Sequence, residues 1–289
     1  MKYTTNTTTR EVGFATATVI ADSVAPATGK RITTIELVYP RIIHGELMTH
    51  RAFSRNASSS RATPVHCMLR EVFDTPYVPT PWLENRRGMA GGAPLDDERA
   101  AQATEAVTRL RHAALDCVTT LLDLNVSKQQ ANRYLEPFML IRTLVTATEW
   151  ANFFKLRLDR EHVQPEMYEL ACAMRDAMDA SEPVTRKLHL PYVTDYVSSH
   201  SGGFGDAAAV CTSVARCARV SYLTRHETPT ETQKDIELAQ RLLRDGHMSP
   251  FEHQAVALDE CAPAANLRGW SSLRRAVEEL GPELLGAQP

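Results

Sequence analysis

Residues 13–21 and 31–39 are rich in valine, isoleucine and threonine and are separated by Pro26-Ala-Thr-Gly29, a pattern that predicts two neighbouring strands joined by a turn. Ile43, Leu47 and Met48 then fall at helical spacing and predict a short helix after Pro40. From about 65 to 98 the chain carries Pro79-Thr-Pro81 and Gly88-Met-Ala-Gly-Gly92, which predicts a long irregular excursion, and excursions of that length commonly serve function or motion. Helical order resumes at about 99: Ala103, Val107, Leu110, Ala114, Val118 and Leu121 recur every three or four residues as far as Asn125. Ser127 with Gln130 has capping-box spacing and opens a short helix that Pro137 ends.

Phe138 to Thr146 is apolar and β-branched enough for a strand. Thr146 with Glu149 makes a second capping-box pattern, predicting a helix from about Ala147 to Leu158. Pro165 suits the first turn of another helix, whose Met167, Leu170, Ala171, Met174 and Met178 share a face; the methionines read as core filler. His189 to Gly205 is turn-like. A helix is expected from about Gln233 to Asp245, with Gly246 as a left-handed stop. A short strand follows at Gln254 to Leu258, and Leu267, Trp270, Val277 and Leu280 suggest a last helix. No repeat or low-complexity linker interrupts this order, so a single domain over 1–289 is expected.

Composition narrows the function classes. At 289 residues, 43% hydrophobic and 23% charged, the chain can bury a sizeable core. A formal net charge of −3 provides no overall drive toward nucleic acid or anionic membrane, so any anion site must be a local concentration of charge. Met1 to Arg10 is polar and threonine-rich, unlike a secretory signal. Six scattered cysteines without a C-x-x-C pair read as reduced residues of a cytoplasmic protein, and the ten histidines show no metal-ligand spacing, so no metal is expected.

Against that background one stretch stands out. Between His50 and Arg61 lie three arginines, one histidine, one asparagine and four serines, a density of donors and positive charge that suits a phosphate. Taken alone, a solvated basic turn accounts for it as well.

The same stretch, Thr49-His50-Arg51-Ala-Phe-Ser54-Arg-Asn56-Ala57-Ser-Ser59-Ser60-Arg61, resembles the R-H-R-x-x-S-x-N-E-x-S-x-R signature of the flavin-dependent thymidylate synthases (ThyX family). Three further blocks are similar to family blocks: Asn132-Arg133 through Pro137; Asn152-Phe-Phe-Lys-Leu-Arg157 with Gln164-Pro-Glu166; and Ala218-Arg-Val-Ser-Tyr222 leading to Gly246-His247-Met-Ser249-Pro-Phe-Glu252-His253. In the usual member the last two segments precede the R-H-R motif, whereas here they follow it. A circular permutation explains the order, and folded domains tolerate one when their termini lie close together.

The resemblance implies an α+β fold with a central antiparallel or mixed sheet flanked by helices, in permuted order. It also implies C5-methylation of a uridine monophosphate, dUMP or UMP, with FAD as the flavin and methylenetetrahydrofolate and NADPH as co-substrates. Position by position, His50, Arg51, Ser54, Asn56, Asn152, His247, Ser249 and Glu252 match flavin-contacting positions. Glu46, Ser59, Ser60, Arg61, Arg133 and Arg157 match positions around the nucleotide. Arg157 is the first choice for catalysis, orienting the uracil and stabilising developing charge, with Ser59 and Arg61 gripping phosphate. A homotetramer with sites shared between subunits is implied.

Departures from the pattern are Thr49 for arginine, Ala57 for glutamate, Ser60 for a common glycine, Glu46 for a common glutamine, and Thr146 and Thr148 for an asparagine and an arginine near the flavin. Thr49 and Ala57 leave open a related enzyme that adds a hydroxymethyl group. A nucleic-acid-binding module is the rival of a different class, weakened because Phe53 alone offers a stacking ring between His50 and Arg61.

Overall fold

A computed structural model describes residues 8–193, 204–221 and 231–285. The strands are β1 Thr9–Val12, β2 Ala15–Val24, β3 Arg31–Pro40, β4 Ser54–Ala57, β5 Leu140–Ala147, β6 Val184–Thr185, β7 Leu188–His189, β8 Ala255–Ala257, β9 Pro263–Ala264, β10 Leu267–Arg268 and β11 Trp270–Ser272. The α-helices are α1 His44–Leu47, α2 Val65–Asp74, α3 Asp97–Asp123, α4 Lys128–Ala131, α5 Ala151–Arg157, α6 Pro165–Asp179, α7 Ala207–Arg219, α8 Thr232–Arg244 and α9 Leu273–Leu280.

The central sheet runs β1-β2-β3-β5-β4, antiparallel throughout, with β6 added parallel to β2. The architecture is α+β, as expected. Gly29 at φ +67° closes the β2–β3 connection, and its N–H bonds Ala25 O at 2.9 Å. A side chain would be strained there.

Side chains alternate across a strand, so the sheet has two faces. On one, Ile35, Leu37, Tyr39, Ile141, Val145 and Ala147 join Met167, Leu170, Ala171 and Met174 of α6 and Phe53, Phe153 and Phe154 in one cluster. The helical period read along α6 was sound: its five named residues are all buried. On the other face stand Thr34, Glu36, Asn56, Arg142 and Thr146, facing α7 and the 249–254 segment through hydrogen bonds. The C-terminal segment has its own core, in which Val210, Val214, Ala239, Leu242, Phe251, Leu273 and Val277 pack together. A third cluster joins α2, α3 and the turns at 131–139.

Several expectations need correction. The irregular excursion begins after Asp74, because Val65, Met68 and Val72 form the buried stripe of α2. Thr146 is not a helix cap: it is buried in β5 and bonds Thr34 and His253, while Glu149 pairs with Lys30. The helix it was expected to open starts instead at Ala151. Ser127 gives no side-chain cap to a backbone N–H; its hydroxyl donates to the Gln130 side-chain Oε1 at 3.3 Å. The last helix begins at Leu273, since Leu267 and Trp270 lie on β10 and β11 either side of Gly269 at φ +69°. Helix α7 escaped the sequence reading altogether. Tyr222 and most of the 189–205 turn lie outside the described residues.

Gly246 does stop α8, at φ +72°. The N–H groups of Gly246 and His247 bond Leu243 O and Leu242 O at 3.1 and 2.9 Å, the paired bonds of a Schellman motif.

Candidate active site

Three groups of the named residues take shape. In the first, the loop after α1 brings His50 against the end of α5. Arg157 Nε donates to His50 Nε2 at 3.2 Å, and Arg157 Nη1 lies 3.6 Å from Glu46 Oε2. A guanidinium can only donate, so His50 Nε2 is an unprotonated acceptor and the ring is the neutral Nδ1–H tautomer. Burial, then the Arg157 and Arg55 guanidiniums, lower the His50 pKa from its ordinary value, which keeps it neutral. The ring stands edge-on to Phe153 at 4.9 Å and 83°. Trp150, Phe53 and Phe153 form the aromatic floor beneath it. Beside this group Tyr39 Oη contacts His44 Nδ1 at 2.8 Å, and burial followed by Arg41 and Arg55 lowers the His44 pKa too.

The second group is the turn at 59–63 with the turn at 132–138. Arg61 is exposed, with no hydrogen bond or ion pair among the described residues. Ser59 is partly exposed, and Ser60 is buried with its Oγ unpartnered among the described residues. Arg133 is half exposed and donates to Glu136 at 2.9 Å; Arg41 reaches the same carboxylate oxygen at 3.0 Å. Asn132 ties the two turns together, donating to Ser60 O at 2.7 Å and Thr63 O at 2.9 Å. Its part was not evident from sequence, where it was only the residue before an arginine.

The third group lies at the C-terminal segment. The side chains of His247 and Ser249 are exposed without partners among the described residues, as are those of Arg51, just after α1, and Asn152, in the first turn of α5. Glu252 accepts from Arg274 at 2.6 Å. The Ser249–Glu252 turn packs against β4, so this segment adjoins the signature stretch. No hydrogen bond or ion pair among the described residues links Arg61 or Arg133 directly to Arg157 or His247.

Ser54 and Asn56 point inward from β4. Ser54 Oγ accepts from Asn266 at 3.0 Å; Asn56 donates to Cys217 O at 2.7 Å and accepts from Ser221 at 3.3 Å. Both are buried, and these bonds hold the C-terminal segment onto the sheet. The departures are absorbed locally as well. Thr49 bonds Glu46 O at 2.7 Å, Ala57 packs against the core, and Thr148 accepts from the Arg268 N–H at 2.9 Å.

The thymidylate synthase complementing protein family matches residues 32–184, more than half of the chain. The chain belongs to that family, and it is therefore an enzyme of the flavin-dependent thymidylate synthase type. The match spans the signature stretch and the Asn132 and Asn152 blocks, and it ends before Ala218. Two solved structures of the UMP/dUMP methylase PolB from Streptomyces cacaoi are similar to this enzyme. The one bound with 5-Br UMP is 20% identical with a TM-score of 0.48, over 58% of this chain and 89% of that one. The one bound with 5-Br dUMP is 23% identical with a TM-score of 0.41, over 51% and 66%. No curated protein matches the sequence.

A flavin carries phosphate and a polar ring. Arg51, Asn152, His247 and Ser249 each offer an exposed side-chain donor that is unengaged among the described residues, which suits such a group. Ser54, Asn56 and Glu252, already bonded within the chain, fit it less well. Among the described residues no helix is long and apolar enough to cross a membrane.

Proposed function

We propose that this enzyme methylates carbon 5 of a uridine monophosphate, dUMP or UMP, using methylenetetrahydrofolate as carbon donor with FAD and NADPH. The observation that carries the reading is the Arg157–His50 bond, which joins the signature stretch to the end of α5. Neutral His50 and the Glu46 carboxylate orient the Arg157 guanidinium, leaving N–H groups for the uracil oxygens, where negative charge develops during attack at a carbon. Ser59, Arg61 and Arg133 take the nucleotide phosphate, whereas Ser60, named with them from the sequence, is buried beneath the turn. Exposed Arg51, Asn152, His247 and Ser249 hold the flavin, which when bound supplies the hydride. That these donors face solvent in one chain favours a homotetramer whose subunits complete one another's sites.

The permuted order belongs to the same reading. Ala255, just past the His253 block, packs with Ile32 at the start of β3, and Thr146 bonds both His253 and Thr34. The block thus ends beside the strand it precedes in the usual order.

The purified enzyme is expected to show the absorption of a bound flavin and to methylate UMP or dUMP in parallel assays, with product mass separating methyl from hydroxymethyl. Colourless protein that binds single strands tightly and loses them steeply with salt would instead mark a nucleic-acid-binding module. Light scattering that finds monomer alone would defeat the shared sites.

A further inference from the structure

Asn132 is wholly buried, yet it lies one residue before half-exposed Arg133. Its carboxamide nitrogen has two hydrogens, and its two acceptors are the carbonyls of Ser60 and Thr63, at 2.7 and 2.9 Å. Those carbonyls straddle the turn that presents Arg61. They stand 72 and 69 residues away along the chain, so no local turn geometry supplies this connection. Among common buried side chains, a neutral –NH₂ that bonds two carbonyls at once belongs to asparagine and glutamine. Aspartate has no donor to offer, and alanine would leave the Thr63 carbonyl without this donor. Ser60 Oγ and Asn132 Oδ1 are buried at the same junction without hydrogen-bond partners among the described residues, so the geometry here is set by the two carbonyl bonds.

We propose that Asn132 is a positioning residue: its carboxamide fixes the turn bearing Arg61 against the turn bearing Arg133, so that one phosphate meets both guanidiniums together. Asn132 itself does not touch the nucleotide. The inference rests on the reading of these two arginines as the phosphate site. A guanidinium displaced by about an ångström loses its alignment with a phosphate oxygen while the rest of the ligand still binds, so the effect is confined to the phosphate.

The test uses the full chain and two probes that differ by the phosphate alone, UMP and uridine, titrated by calorimetry. Wild type is expected to prefer UMP. In Asn132→Ala and in isosteric Asn132→Asp the ratio of UMP to uridine affinity falls about tenfold, as for loss of one well-aligned charged contact. Uridine affinity and bound flavin change little, while the melting temperature falls in both variants because buried carbonyls lose a donor. Asn132→Gln, which keeps the –NH₂ group, recovers part of the ratio. An unchanged ratio in both variants overturns the proposal. So does a loss shared equally by UMP and uridine, or failure of every variant to fold, since either makes Asn132 purely structural. Wild type that binds uridine as tightly as UMP fails at the earlier step: it defeats the phosphate reading of Arg61 and Arg133, and the positioning role with it.

Discussion

The two faces of the central sheet are held by different forces. One face presents Ile35, Leu37, Ile141, Val145 and Ala147 to α6, and the hydrophobic effect suffices to hold the helix there. The opposite face presents Thr34, Glu36, Asn56, Arg142 and Thr146, and the C-terminal segment docks on it through a chain of side-chain bonds. Ser23 meets His189 Nδ1 at 2.9 Å, His189 Nε2 meets Thr34 at 2.8 Å, Thr34 meets Thr146 at 2.6 Å, and Thr146 meets His253 Nδ1 at 2.8 Å. Apolar area is indifferent to register, whereas a run of directed bonds accepts one placement. The polar face therefore specifies where the His247–His253 segment sits relative to the signature stretch, and it does so without a covalent connection between them at that point.

The largest difference between the faces is expected under acid. Burial lowers His189 and His253 to about 3, against an ordinary histidine near 6.5 in the unfolded chain. The unfolded state therefore binds more protons between those values, and stability is fully present above about 6.5 and declines as pH falls toward 3. Because both rings must take up a proton in a buried setting, the loss grows steadily as pH falls through this range. Among the described residues His253 Nε2 has no partner to receive a new N–H, which sharpens the cost. Urea midpoints measured from pH 7.5 to 4 are expected to fall, and His253→Gln to flatten part of the decline. A flat wild-type profile would show that the polar face does not exclude water.

On the apolar face the corresponding test is Leu170→Ala. Leu170 is fully buried on α6, and removing such a side chain costs about 2–5 kcal/mol in transfer and cavity terms. The loss is expected to be nearly independent of pH. A pH-dependent loss at Leu170 would mean that the packing under α6 is coupled to protonation of the polar face.

Sequence revealed the apolar face more readily than the polar one, for a physical reason. Met167, Leu170 and Met174 announce their face by spacing within one helix, and Gly246 announces a helix end by its own backbone freedom. Thr146 looked like a cap for Glu149 because both partners it actually has, Thr34 and His253, are more than a hundred residues away. Leu267 and Trp270 have helical spacing, but Gly269 turns the chain between them. In α7 the buried positions include Thr212 and Ser213, so the helix has no clean apolar stripe. The site shows the same division. His50, Arg61 and Arg157 could be named from their motif, whereas the bonds from Asn132 to Ser60 and from Asn266 to Ser54, 72 and 212 residues apart, have no local signature.

Thr146→Val separates the polar face into its parts. Valine keeps the shape and suits a strand, so the change removes the hydroxyl between Thr34 and His253 and little else. His253 then has neither nitrogen bonded, and a buried polar group left this way costs about 1–3 kcal/mol. Urea unfolding is expected to show the loss at constant m-value. An unchanged midpoint would move the specifying role from the threonine pair to Asn56 and Glu36.

The smallest effect is expected at the rim of the same face. Asn266 Nδ2 donates to Ser54 Oγ at 3.0 Å and reaches Ala52 O at 3.4 Å, and the residue is partly exposed. Water can replace its amide in Asn266→Ala, so the expected loss is about 0.5–1.5 kcal/mol, the ordinary net worth of a hydrogen bond. Ser54 carries the other half of the argument because it is buried, with its hydroxyl directed at the C-terminal segment. Combining Asn266→Ala with Thr146→Val measures whether rim and centre act together. Additive losses, within about 0.3–0.5 kcal/mol, would make the polar face a set of independent bonds; a combined loss well short of the sum would make it one cooperative seam.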